Sequence, residues 1–302
     1  MGRWVTRASA QMGAALCALA VTACAQQDSA GDDHAALLER GDYLMNSIAA
    51  CGNCHSPRDE NGDLIEGMEL AGAFVIEEPA FRAYAPNITP HEESGIGTWT
   101  DEEIIRAVRE GIRPDGRVLG PPMGFPFYRG ISDRDMQALV AYLRQVPPVD
   151  NEVPASTYNI PLPENWGPPV GSVPEPNKDD QIEYGRYLTH NVGHCTDCHT
   201  PLVMGAHDFS RIGAGGNYFP MPFGASWSAL AANITQHPQL GIGEWTDDEI
   251  KQAIRTGTSR DGRQLLPFMA FDWYANISDE DLDAIVAYLR TLEPATALPP
   301  EH

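Results

Sequence analysis

The chain has 302 residues and is strongly acidic: 42 Asp and Glu against 20 Lys and Arg give a formal charge of −22. The length leaves room for about two domains. A field of that sign repels nucleic acid and anionic lipid surfaces, and it either steers basic partners or serves solubility alone. With no basic strip interleaved with aromatic residues, nucleic acid is excluded as a partner.

Residues 1–25 read as an export signal. Arg3 and Arg7 charge its start, and Ala8 to Val21 is an apolar or small-residue stretch too short to span a bilayer stably. Two cleavage readings compete. Val21-Thr22-Ala23-Cys24 has the form of a lipobox, with a lipoprotein signal peptide over 1–23 and Cys24 as the lipidated first residue. Ala23-Cys24-Ala25 also fits an ordinary A-x-A site. The lipobox is favoured because it accounts for a cysteine at that position, and lipid there would make the protein membrane-anchored rather than spanning. Either reading puts the folded part outside the cytoplasm, on the periplasmic side of a bacterial membrane. Residues 24–34 form a polar tether.

From Ala35 the apolar residues Leu37, Leu38, Tyr43, Leu44 and Ile48 recur at helical spacing and lead into Cys51-Gly52-Asn53-Cys54-His55. Ile182, Tyr184, Tyr187 and Leu188 lead in the same way into Cys195-Thr196-Asp197-Cys198-His199. Cys-x-x-Cys-His is the attachment signal for c-type haem. Two thiols add across the two vinyl groups of one porphyrin, and the next histidine lies under the ring, where its imidazole can ligate the iron. CxxC alone also reads as a zinc or redox-disulfide site. Two full motifs in an exported chain favour two haem c groups. Cys17 falls inside the signal and Cys24 at its end, so none of the six cysteines is left for a structural disulfide or thiol catalysis.

Asn87–Arg144 aligns without a gap on Asn233–Arg290, with more than half of the positions identical. Asn-Ile-Thr, Gly-Ile-Gly, Trp-Thr-Asp, Asp-Gly-Arg and Ala-Tyr-Leu-Arg all occur twice, so the chain is an internal duplication. Thr100 with Glu103, and Thr246 with Glu249, predict capping boxes on a middle helix that ends near Gly111 or Gly257. Ser132 and Ser278 predict caps on a last helix, Asp133–Gln145 and Asp279–Thr291. No run of alternating strands stands out, and each unit reads as mainly helical. The units span 35–146 and 179–294. Between them, 147–178 is rich in proline and poor in helical pattern, which favours extended backbone, with disorder as the alternative. Trp166 predicts that this linker packs onto a domain.

A histidine-held iron has a second axial face. Met123 and Met269 occupy the same repeat position, each after a proline-containing loop and before the last helix. They are the expected axial ligands opposite His55 and His199. Met221 has no partner in the first unit, and Met45, Met68, Met136 and Met204 read as packing residues. His91 and His237 recur as polar loop residues, while His34, His190, His194, His207 and His302 read as surface residues. Trp99 and Trp245 fit either propionate contact or ordinary wall packing. Arg117 and Arg263 read as turn-flanking surface residues.

With these motifs, both units resemble class I cytochrome c domains, and the chain is similar to the multihaem cytochrome subunits of bacterial membrane-bound dehydrogenases acting on gluconate and alcohols. That family often carries three haem units, where this chain has two motifs. The resemblance implies a mainly α fold of two tandem domains. It further implies a non-enzymatic relay that takes electrons from a dehydrogenase and passes them to a cytochrome or oxidase of the respiratory chain. A di-haem peroxidase and a free-standing carrier to a terminal oxidase are the alternatives. The paired methionines argue against the peroxidase, and a thiosulfate-oxidising di-haem enzyme would need a spare cysteine ligand.

Overall fold

The computed structural model describes Met1 and residues 31–297. The export signal, Cys17, Cys24, the tether up to residue 30 and His302 lie outside the described residues. Residues 31–34, expected in the tether, are already helical: the first helix, α1, covers 31–45. It is followed by α2 (Gly52–His55) and the antiparallel hairpin β1 (Ala73–Glu78) and β2 (Phe81–Ala85). Then come α3 (Asp101–Glu110), α4 (Phe125–Tyr128) and α5 (Asp133–Leu143).

The second unit repeats the order. A helix α6 (Gln181–Arg186) continues into a wide π turn, Tyr187–Val192, and α7 (Cys195–His199) follows. The helices α8 (Asp247–Thr256), α9 (Phe271–Tyr274) and α10 (Asp279–Leu289) complete it. Both capping boxes form, with Gly111 and Gly257 left-handed at the C-caps. Ser132 and Ser278 accept from Asp135 and Asp281 backbone N–H groups. The last helices are two residues shorter than expected at their C-terminal ends.

The expectation of no strands needs correction. β1 and β2 carry a third strand, β3 (Thr157–Tyr158), contributed by the connecting segment. The second unit has β4 (Leu202–Val203) with β5 (Ala206–His207), and β6 (Tyr218–Phe219) with β7 (Ala229–Leu230). These strands are short, and burial along β1 does not alternate, so period-two patterning does not expose them. Phe74-Val75-Ile76 carried the signal that was missed: aromatic and β-branched residues in a run.

In each unit the first helix crosses the last at a glycine. A Cβ on Gly41 would stand 2.1 Å from the Ala138 carbonyl oxygen, and one on Gly185 would stand 1.8 Å from that of Ala284. Only a missing side chain allows the backbones so close. Around these crossings lies one continuous core to which both units contribute, with Leu44, Ile48 and Met136 from the first and Leu188, Val192 and Leu282 from the second. Fully burying an aliphatic side chain of this size is worth roughly 1.5–3 kcal/mol, so the shared core binds the units to each other.

The segment between the units is extended and lies on the first. Trp166 donates its indole N–H to the Leu119 carbonyl at 2.7 Å and stacks on Phe125 at 5.9 Å between centroids. Val170 N–H donates to Glu110 at 2.7 Å and Val173 N–H to Asp133 at 3.2 Å. Among the described residues, no helix is long and apolar enough to cross a membrane.

Candidate haem sites

Each motif is presented by the same local device. The first helix ends in a bond spanning five residues, Ala49 N–H to Leu44 O (2.9 Å) and Gly193 N–H to Leu188 O (2.8 Å). The next residue is then left-handed without being glycine: Ala50 at φ 44° and His194 at φ 38°. Such conformations cost about 1–3 kcal/mol and persist where surroundings over-determine them. Here they turn the chain sharply into α2 and α7, whose single turns put the two cysteines three residues apart on one side.

Cys51, Cys54, Cys195 and Cys198 are unpaired in disulfides. Burial pushes the Cys51 thiol up to about 12 and those of Cys54 and Cys195 to about 11; Cys198 is raised as well, by burial first and then by Asp197.

His55 and His199 are both 9% exposed, and each is oriented through Nδ1. His55 donates to the Pro86 carbonyl at 2.8 Å and His199 to the Ala232 carbonyl at 2.7 Å. Donation from Nδ1 leaves the Nε2 lone pair free for a metal. Burial lowers both imidazole pKa values, partly offset by the carbonyl bond, which keeps the rings neutral. The donor set and tautomer fit a haem iron.

The methionine loops are built alike. Leu119 N–H reaches back to the Gly111 carbonyl at 2.7 Å and Leu265 N–H to that of Gly257 at 2.6 Å, which ties each loop to the end of its middle helix. The half-buried Met123 and Met269 follow, with their carbonyls accepting from Phe125 N–H (2.9 Å) and Phe271 N–H (2.8 Å) at the start of α4 and α9.

The structure packs each motif against the methionine-loop region of the other unit. A Cβ on Gly52 would meet Trp273 at 2.8 Å, and one on Gly124, beside Met123, would meet Asp197 Oδ2 at 2.9 Å. Asn53 Nδ2 donates to the Phe268 carbonyl at 3.4 Å. Tyr128 and Tyr274, at matching positions, lie between the motifs. Burial raises both phenols, with Cys51, Cys54 and Asp197 adding to Tyr128 and Cys195, Cys198 and Cys54 adding to Tyr274.

Several histidines expected at the surface belong to this interface. His194 is half-buried against Tyr128, ring to ring at 5.1 Å, and its Nδ1 is buried without a partner. His190 and His207 pack on Phe127 at 5.0 and 5.1 Å. These histidines do not recur between the units, and their neighbours come from the other half of the chain, so the sequence hid their role. His91 and His237 are loop residues, bonded to Ser94 Oγ at 2.9 Å and accepting from Leu240 N–H at 3.1 Å. Met45 and Met136 are core, whereas Met204, expected to pack, is 99% exposed. Met221 is exposed as well, and Ile182, expected on the buried face of its helix, is half-exposed. Trp99 and Trp245 pack on the shared core, the former under the Arg113 guanidinium. Arg117 pairs with Asp115 at the surface.

Two helical units, each with a free cysteine pair and an oriented histidine, define a covalent di-haem protein. A family model described as cytochrome c matches residues 38–147 and again 182–293, and the chain belongs to that family. It therefore carries two haem c groups. It is 35% identical to the fructose dehydrogenase cytochrome subunit of Gluconobacter japonicus, over 87% of this chain and 54% of that one. It is 32% identical to the cytochrome c subunit of the quinone alcohol dehydrogenase of Komagataeibacter europaeus, over 93% and 60%. It is 30% identical to a diheme cytochrome c-type protein of Cereibacter sphaeroides, over 80% and 81%. The chain thus spans a little over half the length of the two dehydrogenase subunits.

Proposed function

We propose that this protein carries electrons on the periplasmic side of a bacterial membrane. Cys51, Cys54, Cys195 and Cys198 hold the two haems, with His55 and Met123 on one iron and His199 and Met269 on the other. Electrons come from a dehydrogenase and pass to a cytochrome or oxidase of the respiratory chain. The similarity to cytochrome subunits of fructose and alcohol dehydrogenases supports a donor of that kind. Lipid on Cys24 keeps the protein at the membrane, and the proline-rich segment 147–178 links domains 35–146 and 179–294.

A haem iron between imidazole and thioether exchanges one electron at a raised potential, since the thioether favours the ferrous state. The chain's own contribution is to fix the ligands and exclude water. The Pro86 and Ala232 carbonyls hold the two histidine rings in one tautomer. The turns tied to Gly111 and Gly257 hold the methionine loops. The observation that carries the reading is the sameness of the two loops: both place a half-buried methionine at an equivalent point, so neither iron is singled out for peroxide chemistry.

An oxidised near-infrared spectrum of the haem-loaded protein tests it. Thioether-to-iron charge-transfer intensity equal to two haems per chain supports Met123 and Met269. Intensity for one haem, or a high-spin signal, overturns the paired ligation and brings an open iron into play.

A further inference from the structure

The two units treat the same hairpin edge differently. In the first, the connecting segment covers the outer edge of β2. Tyr84 N–H donates to Ser156 Oγ at 2.9 Å, the Ser156 hydroxyl donates to the Tyr84 carbonyl at 3.1 Å, and Thr157 and Tyr158 continue as β3. Leu230 in β7 is the counterpart of Tyr84, each standing three residues before its Asn-Ile-Thr. Leu230 pairs with Tyr218, and the neighbouring bond, Ala231 N–H to the Asn217 carbonyl at 2.9 Å, makes that a non-hydrogen-bonded pair. The Leu230 N–H and C=O therefore face out of the hairpin. Among the described residues, no third strand pairs with β7.

Apolar exposure coincides with that edge. Strand alternation turns buried Ala229 and Phe219 to one face, with Phe219 4.7 Å from the Phe268 ring beside Met269. It leaves Tyr218 62% and Leu230 68% exposed on the other face. β4 continues the patch: Leu202 N–H donates to Asn217 Oδ1 at 2.9 Å, and Leu202 and Val203 are exposed. Met204 opens the turn to β5 at φ 51°, a left-handed place where such turns ordinarily take Asn, Asp or Gly. Open to solvent, it serves no packing within the chain itself.

Charge changes with the edge. Residues 56–89 hold seven acidic and two basic side chains, whereas the equivalent 200–235 hold only Asp208 and Arg211, paired at 2.8 Å. On a chain of charge −22 this is a neutral apolar island. Such patches mark protein contacts, and an unpaired edge templates a further strand.

We propose that the β7 edge docks an uncharged, extended segment of a partner protein, which adds to β6–β7 as β3 adds to β1–β2. The first unit's own strand shows the chemistry, since residues 153–160 carry no charge. A second copy cannot offer it, because its residues 156–158 are already held in its own first unit. One difference defines the partner further. A Cβ on Gly120 would stand 2.4 Å from the Tyr158 ring, and Leu266 holds the Gly120 position in the second unit. The partner's segment therefore has a small residue where β3 has Tyr158.

The test follows the reduced, haem-loaded full chain by amide NMR while a capped peptide of residues 153–160 carrying Tyr158→Gly is added into the millimolar range. Saturable shifts should centre on Leu230, and exchange of its N–H at saturation should slow by about tenfold. The unsubstituted peptide should bind about tenfold more weakly, the effect of an overpacked contact. Leu230→Lys bears the charge that natural edges use against pairing; it should abolish the shifts and leave the thermal melt unchanged. No shift at Leu230, slowing under about twofold, or equal binding of the unsubstituted peptide overturns the proposal. Protection of Leu230 N–H in the chain alone overturns it too, assigning the edge to a second copy if it rises with protein concentration and to the chain itself if it does not. Flotation with phosphatidylcholine vesicles that the peptide does not displace overturns it in favour of lipid.

Discussion

The Tyr43 hydroxyl of the first unit donates to Asp281 Oδ2 at the start of the last helix of the second, at 2.7 Å, and Tyr187 of the second donates to Asp135 of the first at the same distance. The phenol oxygens also accept from the backbone N–H groups of Ser278 (3.2 Å) and Ser132 (3.1 Å). The duplicated helices thus exchange their tyrosines across a pseudo-twofold relation, and the interface that packs each haem motif against the other unit is closed by the repeat's own residues.

Removing either hydroxyl should loosen the pair. A hydrogen bond to a charged group is worth about 1.5–3 kcal/mol, and Tyr43→Phe and Tyr187→Phe are each expected to lose about that much in urea unfolding. Tyr43→Phe should be the costlier, because Asp135 keeps the Arg40 fork at 2.8 and 3.0 Å when Tyr187 is lost. Equal stability of both variants and wild type would remove the exchange as a stabilising contact.

The same carboxylate sets an acid limit. Burial works to raise Asp135, but the hydrogen bonds and charge of Arg40, with the Tyr187 hydroxyl, outweigh it and hold Asp135 below its ordinary value. A lowered folded value means that its contribution is complete above the unfolded value of about 3.9. It is lost as pH falls through the lower folded value. Stability should therefore fall with acid below about pH 4. Asp135→Asn should be less stable at neutral pH and lack that part of the slope, as read from urea midpoints between pH 2 and pH 7.

Gly41→Ala and Gly185→Ala should be among the most damaging single methyl additions. The obstacle is helix backbone, which cannot swing away as a side chain would. Overpacking costs typically 1–3 kcal/mol and occasionally more, and these two positions belong at the upper end. Thermal melts followed by far-UV circular dichroism measure it. Gly171→Ala is the control for space, since nothing lies within 4 Å of its Cβ position and its backbone is not left-handed.

Met123→Leu and Met269→Leu should each remove half of the near-infrared charge-transfer intensity and introduce a high-spin band, with both haems still covalently attached. Met204→Leu and Met221→Leu, at exposed positions, should change neither. Retention of full intensity in Met123→Leu would transfer the ligand role to another side chain.

Features set by short spacing were legible in the chain itself. Cys-x-x-Cys-His is a covalent requirement over five residues, and the Thr100–Glu103 and Thr246–Glu249 boxes close within three. The duplication made Met123 and Met269 visible as a pair when neither was distinctive alone. What was not legible depended on distant partners. β3 joins Thr157 and Tyr158 to Arg82 and Phe81, and nothing in either segment announces the other. His190, His194 and His207 looked like surface residues because the rings covering them, Phe127 and Tyr128, come from the first unit.

By itself, then, the sequence determined the chemistry: which cysteines and histidines form each motif, how many units there are, and where the middle and last helices are capped at their starts. These follow from bonds and periodicities within one or two turns of chain. Only the tertiary structure decided that each motif packs against the other unit and that Pro86 and Ala232 orient the imidazoles. Those relations are set by packing between residues 30 to 240 positions apart, where close-packed cores, rather than local propensity, select the geometry.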